Sequence, residues 1–140
     1  MKQKAIIATD KNIRDVISSE IKKLGINAKL NHVDVSRVKN MSNLFWNRKF
    51  NGDISEWNVS NVKDMSRMFE DSLFNGDISK WDVSSVVSTF MMFGNAIFNG
   101  DISKWNISNV GEMSYMFSGA EFNGDICNEH GFDVHEIKIQ

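Results

Sequence analysis

The residues with the most evident capacity for chemistry are four aspartates spaced 24 residues apart. They are Asp53, Asp77, Asp101 and Asp125, each the last residue of a Phe-Asn-Gly-Asp tetrad. Carboxylate oxygens are the ligands that calcium prefers, so a column of aspartates could hold that ion. Dedicated calcium-binding repeats supply several oxygen donors per turn, however, and Gly-Asp alone does not. Turn capping, in which each carboxylate accepts a bond from a nearby backbone amide, is therefore the favoured interpretation.

Histidine and cysteine offer little further chemistry. The three histidines are His32, His130 and His135, and none forms a close metal-binding pair with the single cysteine, Cys127. One cysteine cannot form an internal disulfide. Cys127 replaces a serine that follows the other tetrads, so a small filling residue is favoured over a reactive thiol. We expect no metal and no cofactor.

Enzyme motifs are missing as well. The sequence has no glycine-rich phosphate loop, no G-x-S-x-G turn and no H-E-x-x-H helix motif. The carboxylates belong to columns of a repeat and do not form one pair in a cleft. Regular coils also predict no deep pocket, and we therefore expect that the protein is not an enzyme.

A 24-residue repeat must position all of these side chains. Residues 50–73, 74–97 and 98–121 share F-N-G-D-I-S-x-W-[ND]-[VI]-S-[NS]-V followed by a methionine-rich M-F ending. Residues 26–49 are a decayed copy without the tetrad, and residues 122–140 are a partial C-terminal copy. A fixed period of this length is typical of a repeat solenoid, in which successive coils stack. Asn and Gly tolerate positive φ, so each tetrad predicts a tight turn.

Apolar residues recur at eight positions of the repeat and predict a continuous core. Like residues should stack from coil to coil, since adjacent strands lie about 4.8 Å apart. The tryptophan column could instead be an aromatic strip that binds a ligand, but core packing is favoured. In the third copy the apolar positions are Phe98, Ile102, Trp105, Ile107, Val110, Met113, Met116 and Phe117.

Residues 1–25 predict a helical cap for the first coil. Residues 5–8 are a short strand or an extended lead-in, and residues 10–24 read as a helix that Thr9 or Asp10 would cap and Gly25 would end. An open solenoid end exposes apolar surface and strand edges, so we expect this helix to cover it. Its apolar residues fall in one stripe: Ile13, Val16, Ile17, Ile21 and Leu24.

The candidate partner-binding residues lie where the second full copy breaks the repeat pattern. Val87 stands where the other copies have Lys63 and Gly111, and Phe90 stands where they have Ser66 and Ser114. The column with Asn43 also holds Arg67, Met91 and Tyr115, and types like these are enriched at the centres of protein interfaces. If that column faces solvent, it forms an interaction surface. The alternative is a local repacking that buries the apolar side chains of the second copy. We define the candidate patch as Arg67, Val87, Phe90, Met91 and Tyr115.

Charge is distributed unevenly along the chain. Residues 1–49 contain 11 Lys/Arg and 4 Asp/Glu, whereas residues 50–140 contain 5 and 14. Ordinary solvated surface is the favoured explanation. Steering of a charged partner and head-to-tail association of copies are the alternatives. Nucleic-acid binding is not expected, because the cations are spread around a helix and one coil instead of lining one face.

Targeting segments are not evident. Only four apolar residues, 5–8, follow the first lysines, and no apolar run approaches the roughly 18 residues of a membrane span. We expect a cytoplasmic protein if the chain is complete, and a cell-surface or secreted one if it is a fragment.

The full motif resembles that of the BspA-like leucine-rich-repeat surface proteins of mycoplasmas, gut and oral anaerobes and some protists. The resemblance covers residues 31–125 closely, through the Phe, Asn-Gly-Asp, Trp and Met-Phe columns. It implies a leucine-rich-repeat-like solenoid with short parallel strands and an N-terminal capping α-helix. It also implies no catalysis, and adhesion or another form of protein binding.

Three functions remain open at this point. The first is a non-enzymatic protein-interaction module, with an adhesion or adaptor role, that binds through the candidate patch. The second is a small cytosolic inhibitor, immunity or phage-encoded anti-defence protein that uses the acidic residues 50–140 against a basic partner. The third is a structural protein that self-assembles. We expect a monomer or weak head-to-tail association.

Overall fold

The structure, a computed structural model, describes residues 4–126. It contains one helix, α1 (Ile13–Leu24), and two strands, β1 (Ile6–Ile7) and β2 (Val33–Asp34), which pair in parallel. Turns and irregular backbone make up the remaining described residues, apart from isolated bridges. The predictions made for Cys127, His130, His135 and residues 127–140 of the last copy lie outside the described residues.

Residues that are 24 positions apart lie side by side. Parallel bridges join Lys29 to Asp53, and Ile102 to Ile126. Backbone amides also donate from one copy to the next, as from Phe45 to the Met68 carbonyl at 2.9 Å. The copies are thus adjacent and parallel, which is what a solenoid requires, while the solenoid itself stays a prediction. One series of bridges runs through four copies: Asn40, Asp64, Ser88 and Glu112.

Three aromatic columns form the centre of the core. Ring centroids of neighbouring copies are 5.5–5.6 Å apart in the column of Phe45 and 6.2–6.3 Å apart in the column of Phe50. The tryptophan rings stack at 6.4–6.5 Å, and no more than 4% of each residue is exposed. Each indole N–H donates to a backbone carbonyl of the preceding copy at 2.9–3.1 Å. The core interpretation of Trp57, Trp81 and Trp105 is therefore confirmed.

One core column contains a polar exception. Thr89 stands where the neighbouring copies have Met65 and Met113, and its hydroxyl is buried without a hydrogen-bond partner. A buried polar group that lacks a partner costs about 1–3 kcal/mol. We expect Thr89→Val, which keeps the shape and removes the hydroxyl, to raise the free energy of unfolding by about 1 kcal/mol. Urea denaturation measures this free energy of unfolding. A lower value for Thr89→Val than for the wild type would show that the hydroxyl has a hydrogen-bond partner.

The Phe-Asn-Gly-Asp tetrads do not form the positive-φ turns predicted from the sequence. Positive φ occurs at Gly25 and Gly119 but at none of the tetrad glycines, so that prediction is wrong. The glycines are needed because the phenylalanine two residues earlier covers them. A Cβ on Gly76 or Gly100 would lie 2.8 Å from that ring, and on Gly52 it would lie 1.9 Å from the Ala28 carbonyl oxygen.

The tetrad asparagines form a ladder of their own. The Asn75 amide donates to the Asn51 side-chain oxygen at 2.8 Å, and Asn99 and Asn123 repeat the same bond at 2.9 and 2.8 Å. Each asparagine thereby satisfies an amide in the next copy. The tetrad therefore contributes to core packing through its phenylalanine and to hydrogen bonds between neighbouring copies through its asparagine.

Helix α1 begins three residues later than predicted. Its N-cap residue is Asn12, which makes no side-chain cap bond, and Asn12 Oδ1 instead accepts from the Thr9 amide at 2.7 Å. The predicted capping by Thr9 or Asp10 is wrong. The Asp10 carboxylate accepts from the backbone amides of Lys39 and Asn40, at 2.9 and 3.0 Å. It thereby satisfies two donors of the decayed copy of residues 26–49, which we call the first repeat. Gly25, with φ of 96°, ends the helix as predicted.

Helix α1 packs across the first repeat. Ile13 and Ile17 are buried in the common core. Polar contacts flank this apolar contact: the Arg14 guanidinium donates to the Ser42 carbonyl oxygen, and Glu20 contacts His32 at 2.5 Å. These contacts place α1 over backbone groups of the first repeat, which agrees with a capping role.

Candidate functional site

Part of the candidate patch forms a continuous cluster across three repeats. The Arg67 guanidinium lies 5.2 Å from the centroid of the Phe90 ring, which is a cation–π distance. The Phe90 ring meets Tyr115 edge-on, with centroids 6.1 Å apart and planes at 90°. Side chains far apart in sequence therefore create one surface.

The cluster is exposed to solvent to a substantial degree. Tyr115 is 44% exposed and Val87 is 48% exposed, and the Arg67 side chain retains 42%. Phe90 and Met91 are half-buried. The alternative interpretation, a repacking that buries Phe90 and Met91, therefore holds only in part.

The two remaining patch residues lie at its edges. Met91 covers the backbone of Gly94, since a Cβ on that glycine would lie 2.8 Å from the Met91 Cγ. Val87 belongs to the neighbouring column with Lys63 and Gly111, and its amide donates to the Lys63 carbonyl at 2.8 Å. The central group is thus Arg67, Phe90 and Tyr115.

Sequence reasoning missed two residues of one column, Glu70 beside the patch and Trp46 in the preceding copy. The Glu70 carboxylate accepts from Arg67 Nη1 at 3.0 Å, and this side chain is only 10% exposed. In the same column Trp46 is 49% exposed. Two sequence features could have identified them: the three-residue spacing of Arg67 and Glu70, and a tryptophan in a column that otherwise holds Glu, Gly and Ser.

The patch column has a left-handed backbone. The φ angles of Asn43, Arg67, Met91 and Tyr115 are 60°, 56°, 54° and 57°. This region costs most L-residues roughly 1–2 kcal/mol each, because Cβ approaches the following carbonyl oxygen. Glycine and asparagine tolerate it best, so arginine, methionine and tyrosine are unusual there.

A second left-handed column lies four residues further along each copy. It consists of Asn47, Asp71, Asn95 and Gly119, with φ angles of 54°, 56°, 52° and 69°. All four are types that accept this conformation. Backbone preference thus accounts for the second column and does not account for the first.

The tetrad aspartates cap the turns that follow them. Asp53, Asp77 and Asp101 each accept from the hydroxyl and the amide of the serine two residues later, at 2.7 and 2.9 Å. The serine hydroxyl, and then its amide, lowers the pKa of each carboxyl. Turn capping is thus confirmed, and residues 4–126 contain no group of three or more His, Cys, Asp or Glu side chains that could hold a metal ion.

These carboxyls predict acid sensitivity. A lowered folded-state pKa gives a stabilisation that is fully present above the ordinary aspartate pKa of about 3.9 and is lost as the pH falls through the folded-state value. We expect the urea midpoint to fall as the pH decreases from about 5 towards 2. A variant without the hydroxyls of Ser55, Ser79 and Ser103 (each replaced by Ala) should lose less stability over this range. An unchanged pH dependence in that variant would contradict the assignment.

Two surface depressions elsewhere on the described residues are open and lined mostly by polar side chains. One, of about 370 Å³, lies along the tetrads at Asn99 and Asn123. Another, of about 410 Å³, lies between Lys29 and Glu56, beside His32. Neither includes the candidate patch, which forms its own exposed surface.

Comparison with known proteins identifies a family. Residues 12–129 match the family described as Mycoplasma protein of unknown function, DUF285. The comparison with curated proteins gave no match, and neither did the comparison with solved structures. Within residues 4–126, no helix has the length and apolar character needed to cross a membrane.

Proposed function

We propose that this chain, which belongs to the DUF285 family of Mycoplasma proteins of unknown function, is a protein-binding repeat module. The finer assignment to the BspA-like leucine-rich-repeat type, with a solenoid fold and an adhesion or adaptor role, is part of this proposal and rests on the repeat motif. We also propose that binding is its whole activity, without catalysis. The contact surface is the candidate patch.

The single observation that supports the patch most is the contrast between the two left-handed columns. Both have the same backbone conformation, but only one of them holds Arg67, Met91 and Tyr115. Strained backbone positions are typical of functional sites, because the strain persists only where something else favours it. Tyr115 is 44% exposed, so core packing does not repay its strain in full.

Chemistry and preorganisation agree with this function. Arginine, methionine and aromatic residues are enriched at interfaces. The Glu70 carboxylate and the Phe90 ring hold the Arg67 side chain from two sides, which limits the rotamer entropy that it would lose on binding. A partner would therefore meet an ordered surface.

Salt dependence separates this function from the acidic alternative. Residues 50–126 contain 11 Asp/Glu and 4 Lys/Arg, and this imbalance is the observation that favours a basic partner. Binding through the patch should weaken little between low and high salt. Binding through the acidic surface should weaken steeply, because salt screens exposed charges.

The experiment is capture of a partner by the purified chain from the native host lysate, at both salt concentrations. We expect one stoichiometric protein that survives high salt and is lost with Met91→Asp/Tyr115→Asp. The matched control is Asn58→Asp/Asn106→Asp, which adds the same charge in a column where Asp82 already occurs. Equal loss in both variants, or a partner retained only at low salt, would overturn the proposal.

A further inference from the structure

A second surface lies where α1 meets the first repeat. Lys22 and Lys23 are in the last turn of α1, while Arg48 and Lys49 belong to the copy of residues 26–49. The Arg48 guanidinium donates to Ser18 Oγ at 2.5 Å, one helical turn before Lys22. Lys22 follows Ser18 by four residues on the same face of α1, so this bond places Arg48 near Lys22, and Lys23 and Lys49 are their neighbours in sequence.

Three exposed apolar side chains belong to the same junction. Ile26 and Trp46 are each 49% exposed, and Leu73 is 45% exposed. The Leu73 amide donates to the Arg48 carbonyl at 3.3 Å, and Trp46 is two residues before Arg48. Ile26 follows the end of α1, and its carbonyl accepts from the Asn51 amide at 2.7 Å. We call these cations and apolar residues together the basic corner.

Charge would orient the molecule at an anionic surface. Residues 4–49 contain 10 Lys/Arg and 4 Asp/Glu, whereas residues 50–126 contain 4 and 11. The exposed acidic residues nearest in sequence to the corner, which has four cations, are Asp15, Glu56, Asp71 and Asp77. A planar anionic surface would therefore attract the end of the molecule with α1 and repel the later repeats.

We propose that the basic corner docks on an anionic phospholipid bilayer, with the Trp46 side chain among the headgroups. Three of the four cations are lysines, whose point charges attract an anionic surface without a fixed geometry. The guanidinium of Arg48 already donates to Ser18. Lysine with tryptophan and aliphatic side chains is typical of surfaces that lie in the membrane interface. Single-stranded nucleic acid prefers successive aromatic platforms, and the corner has one aromatic side chain.

The test measures sedimentation of the full chain with vesicles. Vesicles of phosphatidylcholine with about 30% phosphatidylserine should bind it, whereas phosphatidylcholine alone should not. Lys22→Gln/Lys23→Gln/Lys49→Gln is expected to reduce partitioning about 100-fold. Its matched control makes the same change of charge in the later repeats and should retain most of the binding. That control is Lys63→Gln/Lys80→Gln/Lys104→Gln.

Tryptophan fluorescence reports insertion directly. Trp46 is exposed, while Trp57, Trp81 and Trp105 are buried and should not respond to lipid. We expect anionic vesicles to shift the emission to the blue and brominated lipid to quench it. Trp46→Ser, which installs the residue found at Ser118 in the same column, should abolish both effects and reduce partitioning about 10-fold.

Several results would overturn the proposal. They are equal binding to neutral vesicles, equal loss in the two lysine variants, an unquenched Trp46 in the bound state, and retention on single-stranded DNA without vesicle binding. A variant of the candidate patch, Met91→Asn/Tyr115→Asn, should partition like the wild type. Failure of the membrane proposal is therefore distinguishable from failure of the protein-binding function.

Discussion

Replacement of Met91 and Tyr115 with asparagine is expected to abolish partner binding while the fold stays as stable as before. Asparagine accepts the left-handed backbone that these residues adopt, and Asn43 already occupies the same column in the decayed copy of residues 26–49. Relief of strain should gain roughly 1 kcal/mol per residue. Loss of the edge contact between Tyr115 and Phe90 removes about 0.5–1.5 kcal/mol, and loss of the half-buried Met91 side chain offsets part of the remainder, so the free energy of unfolding should change by less than about 1 kcal/mol.

The binding loss should be far larger than the change in stability. Truncation of a central interface residue such as Tyr115 costs about 2 kcal/mol or more, and loss of Met91 at the edge of the patch should add about 1 kcal/mol, so the double variant should weaken binding about 100-fold. A charge-neutral control exchanges residues of the other left-handed column, Asp71→Asn/Asn95→Asp, and should bind normally. Isothermal titration with the captured partner measures the affinity, and urea denaturation measures the free energy of unfolding. A stable variant with wild-type affinity would contradict the account.

Gly52→Ala is expected to cause a large loss of stability. The added Cβ would lie 1.9 Å from the Ala28 carbonyl oxygen and 2.5 Å from the Phe50 ring. Backbone cannot move away as a flexible side chain can, and overpacking of this kind costs about 1–3 kcal/mol or more. We expect a loss of about 3 kcal/mol or more, measured by urea or thermal unfolding.

The matched control is Gly111→Ala. A Cβ there meets no atom within 4 Å, and the φ of Gly111 is not positive. This change should be neutral or should stabilise by up to about 1 kcal/mol, through the smaller entropy of the unfolded chain. Similar effects of the two substitutions would show that the close approach of the Ala28 carbonyl oxygen and the Phe50 ring is not what requires Gly52.

The core could be predicted from the sequence because its determinants recur. A tryptophan every 24 residues, between other apolar positions, has few places to lie except inside, and Trp57, Trp81 and Trp105 are all buried there. The strand at Ile6–Ile7 and the end of α1 at Gly25 were also predictable, from a short apolar run and from the conformational freedom of glycine. Local chemistry determines these features.

The reason for each tetrad glycine could not be predicted in the same way. Asn-Gly indicates positive φ in an isolated segment, but the phenylalanine ring that covers each glycine depends on packing between copies. The helix start was missed for a similar reason. Asp10 would make a good cap by local rules, but it bonds to the amides of Lys39 and Asn40 in the first repeat. Tertiary contacts override local preference in both places.

The candidate site was predictable only in outline. Val87, Phe90 and Met91 were selected because they depart from the repeat, and Arg67 and Tyr115 because they share the column of Met91. Of these residues, Arg67, Phe90 and Tyr115 do form a cluster. The left-handed backbone conformation of Met91 could not be predicted from its residue type, because methionine does not favour positive φ. Glu70 was missed because its burial depends on the ion pair with Arg67.

Site-specific photo-crosslinking tests the central claim, protein binding through the candidate patch, most directly. A photoreactive phenylalanine analogue would replace Tyr115, which is exposed at the centre of the patch, and in a parallel variant Asn106, which is exposed in another column of the same repeat. Both variants would be irradiated in the native host lysate at high salt. We predict one covalent adduct with a single protein from position 115 and none from position 106. Equal adducts from both positions, or an adduct from position 106 alone, would contradict the account.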